Sequence, residues 1–116
     1  MERKVYFSRL LDFYGGLLPE KQRACMFQYY YDDLSLAEVS ENLGITRQGV
    51  RDFLKRGEAA LEKSEAELKL MERDEAARRR RAEIAAELMS LADQVSGELA
   101  ERTRALAESI NSWEVF

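Results

Sequence analysis

Between Ser35 and Leu54 the chain carries an order of caps and breaks that leaves little choice but two short helices meeting at a tight turn. Ser35 is a good N-cap, and Glu38 three residues later completes a capping box. Leu36, Val39, Ser40 and Leu43 then give one buried face of a short helix. Gly44 is the natural left-handed residue to close it. Ile45 fills the core from the turn, and Thr46 caps a second helix whose inner face is Val50, Phe53 and Leu54. Cap, short helix, glycine turn, cap and second helix are the parts of a helix-turn-helix. The spacing is specific: a small residue at Ser40, glycine four later, and an apolar residue at Val50 six beyond that.

Two further helices precede this motif. Residues 2–18 place Val5, Phe7, Leu10, Leu11, Phe13, Tyr14 and Leu17 or Leu18 mostly at helical spacings, with Gly15-Gly16 weakening the last turn. Pro19 sits where a new helix starts, and residues 19–31 carry Cys25, Met26, Tyr29 and Tyr30 on or near an apolar face. Beyond the motif, Val50, Leu54, Gly57, Leu61, Ser64, Leu68 and Met71 alternate at spacings of four and three, as in heptads. A charge-dense stretch over residues 72–81 follows, and then a new stripe at Ile84, Leu88, Leu91, Val95, Leu99, Leu106 and Ile110. The tail ends in Trp113, Val115 and Phe116. The expected fold is all-α: a four-helix helix-turn-helix domain over residues 1–57, then long C-terminal helices over 58–116. These are either one long helix or a folded-back pair, and they serve dimerisation or partner binding.

Charge and composition narrow the function. The Leu, Ala, Glu and Arg bias with a single proline favours helices over strands. Net charge is -4, so nucleic-acid binding must come from a local patch. Nine Lys/Arg against eight Asp/Glu fall in residues 1–57, and nine against fourteen in the remainder. The chain has no histidine, hence no histidine base or histidine metal ligand, and it has no glycine-rich phosphate loop. The reading is a non-enzyme with no cofactor and no metal site. One cysteine, no signal-peptide pattern and no long apolar run point to a cytoplasmic protein off the membrane.

The candidate nucleic-acid contacts lie just inside the second helix of the motif: Arg47, Gln48, Gly49, Arg51, Lys55 and Arg56, with Asp52 among them. Arginine can bond guanine bidentately, glutamine can bond adenine, and lysine meets phosphate. Gly49 would let a partner backbone approach closely. The alternative is a solvated helix face in a protein-interaction module. Arg78, Arg79, Arg80 and Arg81 form a possible second basic site, or else a solvated turn balanced by Glu72, Asp74, Glu75 and Glu83. Leu61, Leu68, Ile84, Leu88, Leu91, Val95 and Leu99 form the expected dimer or partner interface, because a domain of about 57 residues buries little surface alone. Cys25 reads as a small core residue. Tyr29, Tyr30 and Tyr31 read as anchors of the second helix, with base stacking as the alternative.

These residues also carry a resemblance. Phe13-Tyr14-Gly15-Gly16-Leu17-Leu18-Pro19-Glu20-Lys21-Gln22, then Tyr29-Tyr30-Tyr31-Asp32-Asp33-Leu34-Ser35-Leu36-Ala37-Glu38-Val39, resemble the bacterial YlxM family. Gly44-Ile45-Thr46-Arg47-Gln48-Gly49-Val50, Asp52 and Lys55-Arg56-Gly57-Glu58 continue the likeness. It covers about residues 5–70, and the first half is also similar to region 4 of bacterial sigma factors. Gly15, Gly16 and Gly49 stand where the family leads one to expect alanine, Arg51 stands in place of an aromatic residue, and the four-arginine run is a departure. The resemblance implies a dimeric, all-helical accessory or regulator of the signal recognition particle. The implied partners are the particle's RNA, its GTPase Ffh, or both. A DNA-binding transcriptional regulator and a protein adaptor remain the alternatives.

Overall fold

The computed structural model describes residues 2–113, which form six α-helices and one 3-10 turn, with no strand among the described residues. The helices are α1 (Arg3–Tyr14), α2 (Glu20–Tyr30), α3 (Leu36–Leu43), α4 (Arg47–Leu68), α5 (Leu70–Ala92) and α6 (Glu98–Ser112). None is long and apolar enough to cross a membrane. The chain divides into two compact units, Met1–Met71 and Glu72–Phe116.

In the first unit, α1, α2 and α3 close around the inner face of α4. Phe7, Leu10, Leu11 and Tyr14 of α1 meet Cys25, Met26 and Tyr30 of α2, Val39 of α3, and Val50, Leu54 and Leu61 of α4. Polar bonds fix the register between helices. Arg3 pairs with Glu58 at 2.5 Å, and Glu58 also accepts from the Tyr30 hydroxyl. Burial, then that carboxylate, push the Tyr30 hydroxyl pKa far up. Tyr31 donates to Asp12 across the same α1–α2 seam. Tyr30 and Tyr31 thus spend their hydroxyls on bonds within the fold.

Three local expectations change. α1 stops at Tyr14 instead of running to Leu18, and the chain tightens into a 3-10 turn, Gly15–Leu17. This rotation buries Leu18 and leaves Leu17 70% exposed. Second, α4 runs unbroken through residue 57, where the sequence suggested a domain end. The reason is packing: Gly57 is buried against Met26 and Leu61 is fully buried one turn beyond. Third, Leu61 is a core residue of the first unit and is not available to a partner. A heptad seam looks the same whether its partner is another chain or its own.

The second unit contains most of α5, then a reversal through Gly97, which has φ 69°, and then α6. The charge-dense stretch is an uninterrupted part of α5. Among the described residues beyond 57, the chain is thus three helical segments and not one. Each helix of the second unit buries alanines seven apart, Ala85 and Ala92 on α5 and Ala100 and Ala107 on α6. Arg104 of α6 reaches Asp93 at 3.4 Å, which brings the start of α6 back beside the end of α5. Val115 and Phe116 of the apolar tail lie outside the described residues.

Candidate nucleic-acid interface

The turn that aims α4 is built by local bonds. The Ser35 hydroxyl accepts from the Glu38 amide and the Glu38 carboxylate accepts from the Ser35 amide, both at 3.1 Å, so the capping box is complete. Gly44 closes α3 at φ 65° and ψ 35°, a region that strains any residue with a β-carbon. The Ser40 hydroxyl donates to the Ile45 carbonyl at 2.5 Å, and the Ile45 amide donates to the Ser40 carbonyl at 3.2 Å. Ser40 is therefore more than a small residue at a crowded turn: it ties α3 to the residue that leads into α4. The Thr46 hydroxyl accepts from the Gly49 amide at 2.9 Å and starts α4. Gln22 of α2 donates to the Phe53 carbonyl at 3.2 Å and fixes α4 from the other side.

This frame turns Val50 and Leu54 inward and Arg47, Gln48, Arg51, Asp52, Lys55 and Arg56 outward, all six exposed. Arg47, Arg51 and Lys55 are spaced by four and form one cationic strip about 12 Å long at 1.5 Å per residue. Among the described residues none of the three is engaged in an ion pair. The neighbouring positions are held to the helix itself. Gln48 donates to Asp52 at 3.1 Å, and the Asp52 carboxylate is thereby turned along the helix. Arg56 donates to the Asp52 carbonyl at 3.4 Å and lies over the Phe53 ring, 5.6 Å from its centroid.

Gly49 takes a different place from the one its sequence position suggested. It is half-buried, and a β-carbon there would sit 3.2 Å from the Thr46 hydroxyl and 3.6 Å from Ile45. Its open side faces its own turn, so it lets the capping threonine close over the helix start. It does not present bare backbone to a partner.

The four-arginine run lies in the other unit and is divided. Arg78 pairs at 2.8 Å with Asp74, which is 2% exposed, and Arg80 pairs at 3.2 Å with Glu83 on the surface. Arg79 is exposed and Arg81 half-buried. Of the apolar positions expected at an interface, Ile84 and Leu88 are half-buried, while Leu68, Leu91, Val95 and Leu99 are 49%, 54%, 41% and 58% exposed. Leu106, at 58%, joins them. Among the described residues, no group of three or more acidic or cysteine side chains gathers as a metal site would need.

A comparison with protein families matches residues 1–104 to UPF0122, described as "Putative helix-turn-helix protein, YlxM / p13 like". The UPF0122 protein of Halalkalibacterium halodurans is 39% identical over 114 residues, covering 98% of this chain and 99% of its own. That of Shouchella clausii is 43% identical over 84 residues, 72% of this chain and 77% of its own. That of Thermoanaerobacter sp. is 51% identical over 69 residues, 60% of this chain and 59% of its own. None of these names carries a catalytic activity. With its fold, its turn and nine-tenths of its length in agreement, the chain belongs to the UPF0122 family of YlxM/p13-like helix-turn-helix proteins.

Proposed function

We propose that this protein is a non-enzymatic, nucleic-acid-binding accessory of the signal recognition particle, and that Arg47, Arg51 and Lys55 make the contact. The observation that carries the nucleic-acid reading is the cationic strip. Three cations stand at helical spacing on the outward face of the second helix of a helix-turn-helix, with no acidic partner among the described residues. On a chain of net charge -4, such a strip is a local electrostatic footprint of the kind a phosphate backbone needs. The particle enters through the likeness to YlxM, whose implied partners are its RNA and Ffh. The major groove of duplex RNA is too deep and narrow for side chains to read, so the strip would meet phosphates or an unpaired loop.

A second surface supports self-association or the binding of Ffh. In an antiparallel pair joined along Ala85, Ala92, Ala100 and Ala107, the positions one residue before each alanine fall on the same side. Those positions are Ile84, Leu91, Leu99 and Leu106. Three of the four are more than half exposed, and an aliphatic face of this kind is stable in water once a second pair of helices covers it.

The test is binding of the purified full chain to signal recognition particle RNA and to unrelated duplex DNA across a salt series. Selective retention of the RNA supports the reading. Preference for duplex DNA, with two α4 helices about 34 Å apart in a dimer, replaces it with a transcriptional regulator. Binding to neither, with Ffh retained, replaces it with a protein adaptor.

A further inference from the structure

The break between α4 and α5 is not written in the local sequence. From Glu65 to Arg73 the chain reads Glu-Ala-Glu-Leu-Lys-Leu-Met-Glu-Arg, with no glycine, proline or β-branched residue. These are among the best helix formers, and on propensity alone the helix would continue. Yet Lys69 adopts the left-handed conformation, φ 56° and ψ 32°, which is uphill for a residue with a β-carbon.

What holds the break is a side chain inserted into the helical ladder, one of the few recognised causes of a sharp kink. In a continuous helix the Leu70 amide would donate to Ala66 and the Met71 amide to Glu67. Instead the Leu70 amide donates to the Tyr14 hydroxyl at 3.0 Å, and the Met71 amide donates to the Glu65 carboxylate at 3.0 Å. The Tyr14 hydroxyl in turn donates to the same Glu65 oxygen at 2.6 Å. Tyr14 is 1% exposed and Met71 8%, so the exchange of partners takes place against the core.

We propose that this junction is a conformational latch. The Tyr14 hydroxyl and the Glu65 carboxylate are its catch. When they release, Lys69 relaxes to the right-handed conformation, and the helical ladder of α4 continues from Leu68 through Leu70 and Met71. The stripe Val50, Leu54, Gly57, Leu61, Ser64, Leu68 and Met71 is already in heptad register across the break. In the latched form Leu68 is the exposed member of that stripe, at 49%. The released form carries that register past Lys69, with Leu68 and Met71 on one uninterrupted helix face. The inference is independent of nucleic-acid binding.

The experiment is NMR on the isotope-labelled full chain, reading the three-bond HN–Hα coupling of Lys69. Exchange-saturation profiles of the Lys69, Leu70 and Met71 amides are read alongside it. Wild type is expected to show the left-handed coupling with a minor exchanging state. Tyr14→Phe removes a buried hydrogen bond to a charged group and should enrich that state on the order of tenfold or more, moving the coupling toward the right-handed value. Glu65→Gln should act in the same direction, and it serves as the second variant where Tyr14→Phe does not fold. Lys69→Gly should act oppositely and suppress the minor state, because glycine accepts the left-handed region freely. If the Tyr14 and Glu65 variants lose thermal stability while Lys69 keeps its left-handed coupling and no minor state appears, the junction is a rigid corner and the latch is wrong.

Discussion

The sulfur of Met26 lies 2.4 Å from the point where a β-carbon on Gly57 would sit, and the Met26 Cε and Cγ lie within 3.3 Å of it. This contact marks how closely α2 and α4 approach, and Met26 is fully buried there. Gly57→Ala raises local helix propensity by about 1 kcal/mol. The overpacking it causes costs about 1–3 kcal/mol. We expect net destabilisation in a denaturant titration. Met26→Ala, itself destabilising, should recover part of the loss when combined with Gly57→Ala, because the two residues share one space. Additive costs would show that α2 and α4 adjust elsewhere.

The capping box and the left-handed glycine before α4 are separable. Ser35→Ala removes the acceptor for the Glu38 amide and should cost about 1 kcal/mol. Gly44→Ala meets no neighbour within 4 Å, so its cost is conformational alone, roughly 1–2 kcal/mol. The sites share no contact in the turn, and their effects on the unfolding midpoint should add within about 0.5 kcal/mol.

Cys25 is fully buried, and burial pushes its thiol up to about 11 from an ordinary 9.0. The folded protein therefore holds this proton more tightly than the unfolded chain. The contribution to stability is whole below about pH 9 and is lost as pH rises through about 11, a loss on the order of 2–3 kcal/mol. Comparison of wild type with Cys25→Ala should show the wild type losing stability more steeply between pH 9 and 11. Equal slopes would mean the buried thiol does not titrate in that window. At pH 8 the thiol should react with alkylating agents only on unfolding.

Exposed leucines on α5 and α6 predict self-association. Leu91→Asp with Leu99→Asp should leave helix content by circular dichroism unchanged and halve the mass seen by sedimentation equilibrium. A wild-type chain that is already monomeric at high micromolar concentration would remove the dimer from the account.

Much of this fold was legible because the informative signals were local. Ser35, Glu38, Gly44 and Thr46 act on backbone groups within four residues of themselves, so their types and spacing carried the turn. Leu61 was misplaced because a four-three stripe records burial without recording what does the burying. The end of α1 depended on Gly15 fitting against Phe27, 3.4 Å from its would-be β-carbon, a contact twelve residues distant. The break at Lys69 was invisible for a stronger reason. Its cause is Tyr14, fifty-five residues away, acting on a segment whose own residues favour an unbroken helix. At the candidate site the outward positions of α4 followed from period and cap alone. That Gln48 and Arg56 bond back to their own helix, and that Gly49 faces Thr46, needed side-chain geometry.

The strip on α4 is proposed to contact a nucleic-acid backbone. Its most direct test is the affinity of wild type and of the Arg47→Glu, Arg51→Glu variant for signal recognition particle RNA over a salt series. Both residues are exposed and have no ion-pair partner among the described residues, so the variant should fold as wild type does. Wild-type affinity should fall steeply with salt. In the variant, affinity should drop and the slope of log affinity against log salt should lessen by about 1–2, one increment per lost phosphate contact. Equal affinity and equal slope in the two proteins would contradict it, and would move the binding surface off α4.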